Sequence, residues 1–188
     1  MKYFIIILLL LFSCSEKRHL FPLELKEYQI FTAVIDSLYN SSEIILIGIE
    51  DSTFTEIESQ NMRANHWTNL DEFNIEEIVE SFVSRNSFKY QLNSNFFNNS
   101  QIKLIKRSEK VEIVRSQNKQ LNDTQLESIY RHIGILSFSR VGFNKENNQA
   151  LLYCEYDCGG LCGWGEYLFL KLVENSWKIV KRYEVWVA

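Results

Sequence analysis

The chain reads as an α+β protein whose N-terminal and central helices pack on a curled antiparallel sheet that ends in a C-terminal four-stranded meander. Three observations predict this class. In two early segments apolar residues recur at three- and four-residue intervals, as on one face of a helix. From residue 134 onward the chain turns to runs rich in β-branched and aromatic residues, divided by compact polar turns. Within those runs both alternating faces are apolar, so the sheet must be covered on its second side by another layer or a partner, or else curl into a cone or partial barrel.

The first helix is expected to begin at Pro22, whose missing amide hydrogen costs nothing in a first turn, and to run to about Tyr39 with Tyr28, Phe31, Ile35 and Leu38 as its stripe. Asn40-Ser41-Ser42 ends it, and Ile44-Ile45-Leu46-Ile47-Gly48-Ile49 follows as a buried strand, because so many β-branched residues suit a covered sheet position. The next helix has a clear start. Asn74 is its cap, Glu77 completes a capping box, Phe73 packs on Ile78, and Ile75, Ile78, Val79, Phe82 and Val83 form the buried face. The same grammar recurs at Asn122, with Leu121 before it, Gln125 three residues on, and Leu126, Ile129, Tyr130 and Ile133 inward. Between these helices, Gln101 to Ile105 and Val111 to Arg115 make a hairpin candidate. The meander comprises residues 134–143, 150–158, 166–173 and 177–187, joined by Asn144-Lys145-Glu146-Asn147-Asn148, by a glycine/cysteine loop and by Glu174-Asn175-Ser176.

The first residues carry an address. After Lys2 the chain runs Phe4-Ile5-Ile6-Ile7-Leu8-Leu9-Leu10-Leu11-Phe12 without a charge. That run is far shorter than the roughly 20 residues of a membrane-spanning helix, but it suits the core of an export signal. Leu11-Phe12-Ser13-Cys14 resembles the lipobox of bacterial lipoproteins. The resemblance implies cleavage before Cys14, a diacylglycerol on its sulfur and an acylated (palmitate-type) amine, with residues 1–13 removed. A thiolate is the nucleophile this chemistry needs, and two or three chains hold a protein on a membrane where one holds weakly. Residues 14–21 then form a short tether, and Ser15 in place of an inner-membrane-retaining aspartate favours the outer membrane by the same resemblance.

Residues 22–188 are expected to form a single domain, since one proline and seven glycines leave no linker to divide them. Loss of residues 1–13 removes one lysine and no acid, which moves the formal charge from −4 to −5. No basic cluster exceeds Lys106-Arg107 or Lys181-Arg182, and an acidic balance opposes the counterion release that drives nucleic-acid binding, so nucleic acid is excluded as a partner.

The segment Cys154-Glu155-Tyr156-Asp157-Cys158-Gly159-Gly160-Leu161-Cys162-Gly163-Trp164-Gly165 is the most informative local feature after the signal. In one extended strand Cys154 and Cys158 would stand about 13 Å apart. A disulfide requires Cα atoms within about 7 Å. A tight glycine loop can instead bring Cys158 and Cys162 together, and their disulfide is the preferred reading, with Cys154 a buried hydrophobe. Two alternatives compete. Three cysteines with His132 could hold zinc, but the spacing is not a repeated zinc knuckle. A redox pair lacks the Cys-x-x-Cys arrangement. The glycines do not make a phosphate loop, because no Lys-Ser/Thr follows them. No cofactor is expected.

Ser137-Phe138-Ser139-Arg140-Val141-Gly142-Phe143-Asn144, Gln149-Ala150-Leu151-Leu152-Tyr153, the Cys158 to Gly165 run and Trp177-Lys178-Ile179-Val180 together resemble a segment of uncharacterised lipoproteins and secreted proteins of the Bacteroidetes. That group brings no activity with it. It implies an envelope setting and the Cys158–Cys162 pairing, and Cys154 falls outside its pattern. Asp36-Ser37-Leu38 and Asp51-Ser52-Thr53 also resemble the short O-glycosylation pattern of that group, Ser52 being the better placed.

The functional expectation is a non-enzymatic binding or structural module, held to the membrane by its N-terminal lipid and meeting an envelope protein or polar ligand, with aromatic potential near Trp164. The alternative is an envelope hydrolase or transferase with a polar site near the 154–166 loop, drawn from Glu155, Asp157, Glu166, Arg140 and His132. The chain has no Gly-x-Ser-x-Gly elbow and no His-Glu-x-x-His helix.

Overall fold

A computed structural model describes residues 23–39, 47–53, 67, 70–97, 102–109, 134–159 and 161–188. Pro22, Cys14 with its signal and tether, the Asn122 helix, the Val111 to Arg115 arm and His132 lie outside the described residues. The elements in chain order are α1 (Leu25–Tyr39), β1 (Ile47–Glu50), α2 (Ile75–Arg85), a 3-10 turn (Ser94–Phe96), β2 (Ile102–Ile105), β3 (Ile135–Phe138), β4 (Gly142–Phe143), β5 (Gln149–Gly159), β6 (Cys162–Val173) and β7 (Ser176–Val187).

Among the described residues, seven strands form one mixed, open sheet in the order β2-β1-β3-β5-β6-β7, with β4 also paired to β5. β1 runs parallel to both β2 and β3, whereas β3, β5, β6 and β7 run antiparallel in succession. The expectation of a curled antiparallel sheet is therefore overturned. Its premise, two apolar faces, has a different solution. On β6, Leu168 and Leu170 point into a core shared with Phe31, Val34 and Ile35 of α1. Tyr167 and Phe169 of the same strand point into a second core with Ile78 and Phe82 of α2. With a helix on each face, the sheet has no apolar side left to hide by curling. Parallel neighbours also need a crossover, and α2 lies in the chain between β1 and β2. Residues 102–105 form the parallel neighbour of β1, and the other arm of the expected hairpin lies outside the described residues.

α1 buries Tyr28, Ile30, Phe31, Val34 and Ile35, and Leu38 is only partly covered. Asn74 stands at the N-cap of α2 but makes no side-chain cap hydrogen bond. The expected capping box is absent because its two members are engaged elsewhere. The Asn74 amide donates to Gln149 Oε1 at 2.8 Å, and Glu77 accepts from the Lys145 amide at 3.2 Å and pairs with Lys145 Nζ at 2.7 Å. Ile78 and Phe82 are buried as expected, but Val83 is exposed, because α2 packs against β4 and β5 on a narrow stripe. Gly142 permits this approach: a Cβ there would meet the Ile78 carbonyl oxygen at 2.5 Å.

The predicted strand over residues 134–143 is interrupted at residues 139–141, and the interruption joins the helices. Glu27 (0% exposed) and Arg140 (1%) form a buried ion pair, with Arg140 Nη2 donating to Glu27 Oε2 at 2.7 Å and Nε to Oε1 at 3.1 Å. The same carboxylate accepts the amides of Val141 (3.1 Å) and Glu24 (2.9 Å), so no lone pair is wasted. The backbone of Arg140 leaves the ladder and bonds the side chain of Asn86, which follows α2. Arg85, in the last turn of α2, reaches Glu24 just before α1. Ser139 Oγ takes over the missing ladder position by accepting the Tyr153 amide at 2.9 Å. These bonds wrap around the short strand β4 and clasp α1 on one face to α2 on the other.

The exposed edge β7 is blunted by register irregularities opposite Gly165/Glu166 and Phe169/Leu170 and by Lys178, Lys181 and Arg182 along it.

Removing one member of a buried pair strands the other. Glu27→Gln is expected to lower the unfolding free energy by about 3–5 kcal/mol in urea titrations. Glu77→Gln at the exposed Lys145 pair should leave the midpoint nearly unchanged. A second expectation concerns acid. Burial by itself would raise the Glu24 carboxyl, but bonds from Lys26 and Arg85 outweigh it and hold the group below its ordinary value. The resulting stability is complete above the ordinary carboxyl range and is lost as pH falls through the depressed value. Glu24→Gln should therefore flatten the acid limb of a stability–pH curve, and an unchanged limb would remove Glu24 from that role.

Candidate functional site

The β5–β6 hairpin carries the cysteine/glycine motif at its tip. Gly159 pairs with Cys162 after a register shift, and the Cα atoms of Cys158 and Cys162 lie 5.2 Å apart in a disulfide-capable pair. Leu161 at the turn is almost wholly exposed. Cys154, four residues back along β5, faces the α1 core and is completely buried. Burial, with Glu166 and Glu155 nearby, pushes its thiol well above the ordinary range, so Cys154 packs as a hydrophobe.

Gly163 and Gly165 of the motif serve packing. Trp164 turns to the α1 face and stacks on Tyr156 with ring centroids 5.9 Å apart. Its neighbours Gly163 and Gly165 turn to the other face, where a Cβ at Gly165 would meet Trp186 Nε1 at 2.2 Å and one at Gly163 would meet the same indole at 3.1 Å. The indole of Trp186 therefore lies across both glycines, and its Nε1 donates to Tyr153 Oη at 2.9 Å. Burial pushes the Tyr153 phenol up to about 12, although the Trp186 bond lowers it, so Tyr153 stays protonated at ordinary pH.

The polar residues expected around the loop do not converge. Glu166 is the cross-strand neighbour of Cys154 and lies on the α1 face, bonded to Arg182. Burial raises its carboxyl and Arg182 opposes the rise. Strand alternation sends Glu155 and Asp157 to the opposite face of the sheet. Arg140 belongs to the clasp with Glu27.

A polar row that the sequence reading missed crosses three strands instead. Ser137 on β3 lies opposite Glu155 on β5, and its Oγ donates to Glu50 Oε2 at 2.9 Å. Glu50 is 2% exposed at the end of β1, with Arg107 Nη1 at 3.8 Å from its other oxygen. Its only signal in the sequence is an acid closing an apolar run. Among the described residues, no three of His, Cys, Asp and Glu are grouped as a metal site. Of the two serines in glycosylation-like triplets, Ser37 donates to the Val34 carbonyl within α1 and accepts from Arg182, while Ser52 sits in an isolated bridge with Gln91.

Among the described residues, an open groove of about 900 Å³ runs between α1 and the edge strand β7. Leu25, Gln29, Ala33 and Asp36 recur along α1 as one wall, with Phe96 stacked on Tyr28 near its start. Residues 175–179 and Arg182 form the other side. Arg182 ties the far end of the groove to α1 by donating to Ser37 Oγ at 3.2 Å. The lining is mixed in character, with Leu25, Tyr28, Phe96, Trp177 and Ile179 beside polar and charged side chains. Such a surface can hold a ligand by contact area and hydrogen bonds without reacting with it.

Comparison with family models, with curated proteins and with solved structures finds no match in any of the three.

Iodoacetamide should leave the native protein's Cys154, Cys158 and Cys162 unlabelled, label Cys154 alone in denaturant without reductant, and label all three after reduction. Peptide mass mapping reads the outcome, and labelling of Cys158 in the unreduced protein would dissolve the pair.

Proposed function

We propose that this chain is an envelope-anchored, non-enzymatic binding module, held to the outer membrane by lipid on Cys14 and receiving its ligand in the groove between α1 and β7. The observation that carries the reading is the groove itself: about 900 Å³, open to solvent, and bounded by polar and aromatic side chains from two elements. The clasp of Glu27 and Arg140 and the two cores hold α1 against the sheet, which favours a preformed rather than an induced site. The lipobox-like Leu11-Phe12-Ser13-Cys14 and the resemblance of the C-terminal segment to Bacteroidetes lipoproteins support the address.

Ala33 lines the groove, and Ala33→Trp would fill it from the α1 side. A panel of peptides, glycans and cell-wall fragments offered to the membrane-extracted protein should contain a ligand that raises the melting temperature by about 5–10 °C at about 100 times its Kd. That rise should vanish in Ala33→Trp, whose own melting temperature in the absence of ligand should match the wild type. A rise that persists in the variant, or a panel without effect, overturns the reading. In the same preparation, intact mass should show acyl chains on the wild type and none on Cys14→Ser.

A further inference from the structure

The groove borders more than one face of side chains. Residues 175–179 line it consecutively, whereas a strand seen only from one face would contribute alternate residues. The backbone edge at the start of β7 therefore opens onto the groove. Among the described residues β7 has a strand neighbour, β6, on one side only, and Lys178, Val180, Arg182 and Glu184 on it are exposed. The wall and the edge match in length. The stretch of α1 from Leu25 to Ser37 spans about 18 Å. The stretch of β7 from Ser176 to Arg182 spans about 20 Å. A helix lying beside an edge strand at this length is the arrangement by which extended peptides are taken up as an added strand, with main-chain bonds to the edge and alternate side chains against the helix.

Resting on the binding reading above, we propose that the ligand is an extended, acidic peptide segment of another protein, added to the outer edge of β7 alongside α1. Charge selects the class. β7 carries Lys178, Lys181 and Arg182 against the single acid Glu184. Arg182 is engaged by Glu166 and Ser37, whereas Lys178 and Lys181, the latter resting over the Tyr183 ring, carry the charge that acidic side chains of an added strand would meet. Two copies of this chain paired through β7 would set cationic edges against each other, and the irregularities at β7 disfavour a long flat pairing. A short acidic strand meets neither obstacle.

The test uses the detergent-solubilised, membrane-extracted protein and a fluorescent peptide of about ten residues alternating glutamate and valine, long enough for one ordinary strand. Two controls accompany it, one with lysine replacing glutamate and one with alternate backbone nitrogens methylated. The acidic peptide should bind and slow amide hydrogen exchange in residues 176–182. Both controls should bind roughly tenfold more weakly or worse, the expected sum of a few cross-strand pairs and ladder bonds. The double variant Lys178→Glu, Lys181→Glu should reverse the preference toward the lysine peptide, a readout that general destabilisation does not mimic. Equal binding of the acidic and lysine peptides, or protection that spares β7, overturns the proposal. So does protection of β7 that rises with protein concentration in the absence of peptide. A glycan or cell-wall fragment that stabilises the wild type but not Ala33→Trp, with no peptide bound, would sink the peptide and leave the binding groove standing.

Discussion

A carboxylate and a guanidinium taken out of water destabilise a fold unless each finds the other in a fixed geometry, and Glu27 with Arg140 meets that condition at the point where both helices and the sheet come together. The pair sets several features at once. Arg140 reaches Glu27 where the strand breaks at residues 139–141, and there Ser139 Oγ bonds into the ladder and Asn86 bonds the Arg140 backbone. The break in turn leaves β4 as a two-residue strand against which α2 packs closely over Gly142. Arg85 and Glu24 complete the connection from α2 back to α1. The helices on opposite faces of the sheet are thereby joined through polar contacts as well as through their separate cores.

Covering both faces has a consequence for function. Once α1 and α2 occupy the two sides, the open sheet ends in an edge at β7 that neither helix covers, and the groove forms between that edge and the outer flank of α1. The motif that stands out most in the sequence has a different role. Gly163 and Gly165 leave room for Trp186, Trp164 stacks on Tyr156, and Cys158 and Cys162 tie the hairpin tip. Together they pack the tip of the β5–β6 hairpin, at the end of β6 away from groove residues 175–179. Gly163 and Gly165 lie beneath an indole, so their spacing records packing.

Local features were legible where the interactions that make them are local. The stripe of Tyr28, Phe31 and Ile35, the start of α2 near Asn74 and the turns at residues 144–148 and 174–176 all follow from neighbours within a few positions. The capping box at Asn74 and Glu77 failed because Gln149 and Lys145, about 70 residues away in the chain, compete for the same groups. Glu27 was missed because an acid in a first helical turn looks like a solvated N-terminal charge, and only the remote Arg140 makes it a core residue. The acids around the cysteine loop were legible as residues but not as a cluster, since a hairpin register sends Glu155 and Glu166 to opposite faces.

What the sequence by itself determined is the set of elements: the helical stripes, the strand runs, the glycine/cysteine hairpin tip and the apolar character of both strand faces. Each depends on backbone preference and side-chain periodicity within a short window. What only the tertiary structure decided is how those elements share space. Parallel pairing of β1 with β2 and β3, the second helix covering the second face, and the groove at β7 all depend on contacts between residues far apart in the chain. Apolar burial is non-directional, so an alternating strand records that both its faces are covered without recording by what.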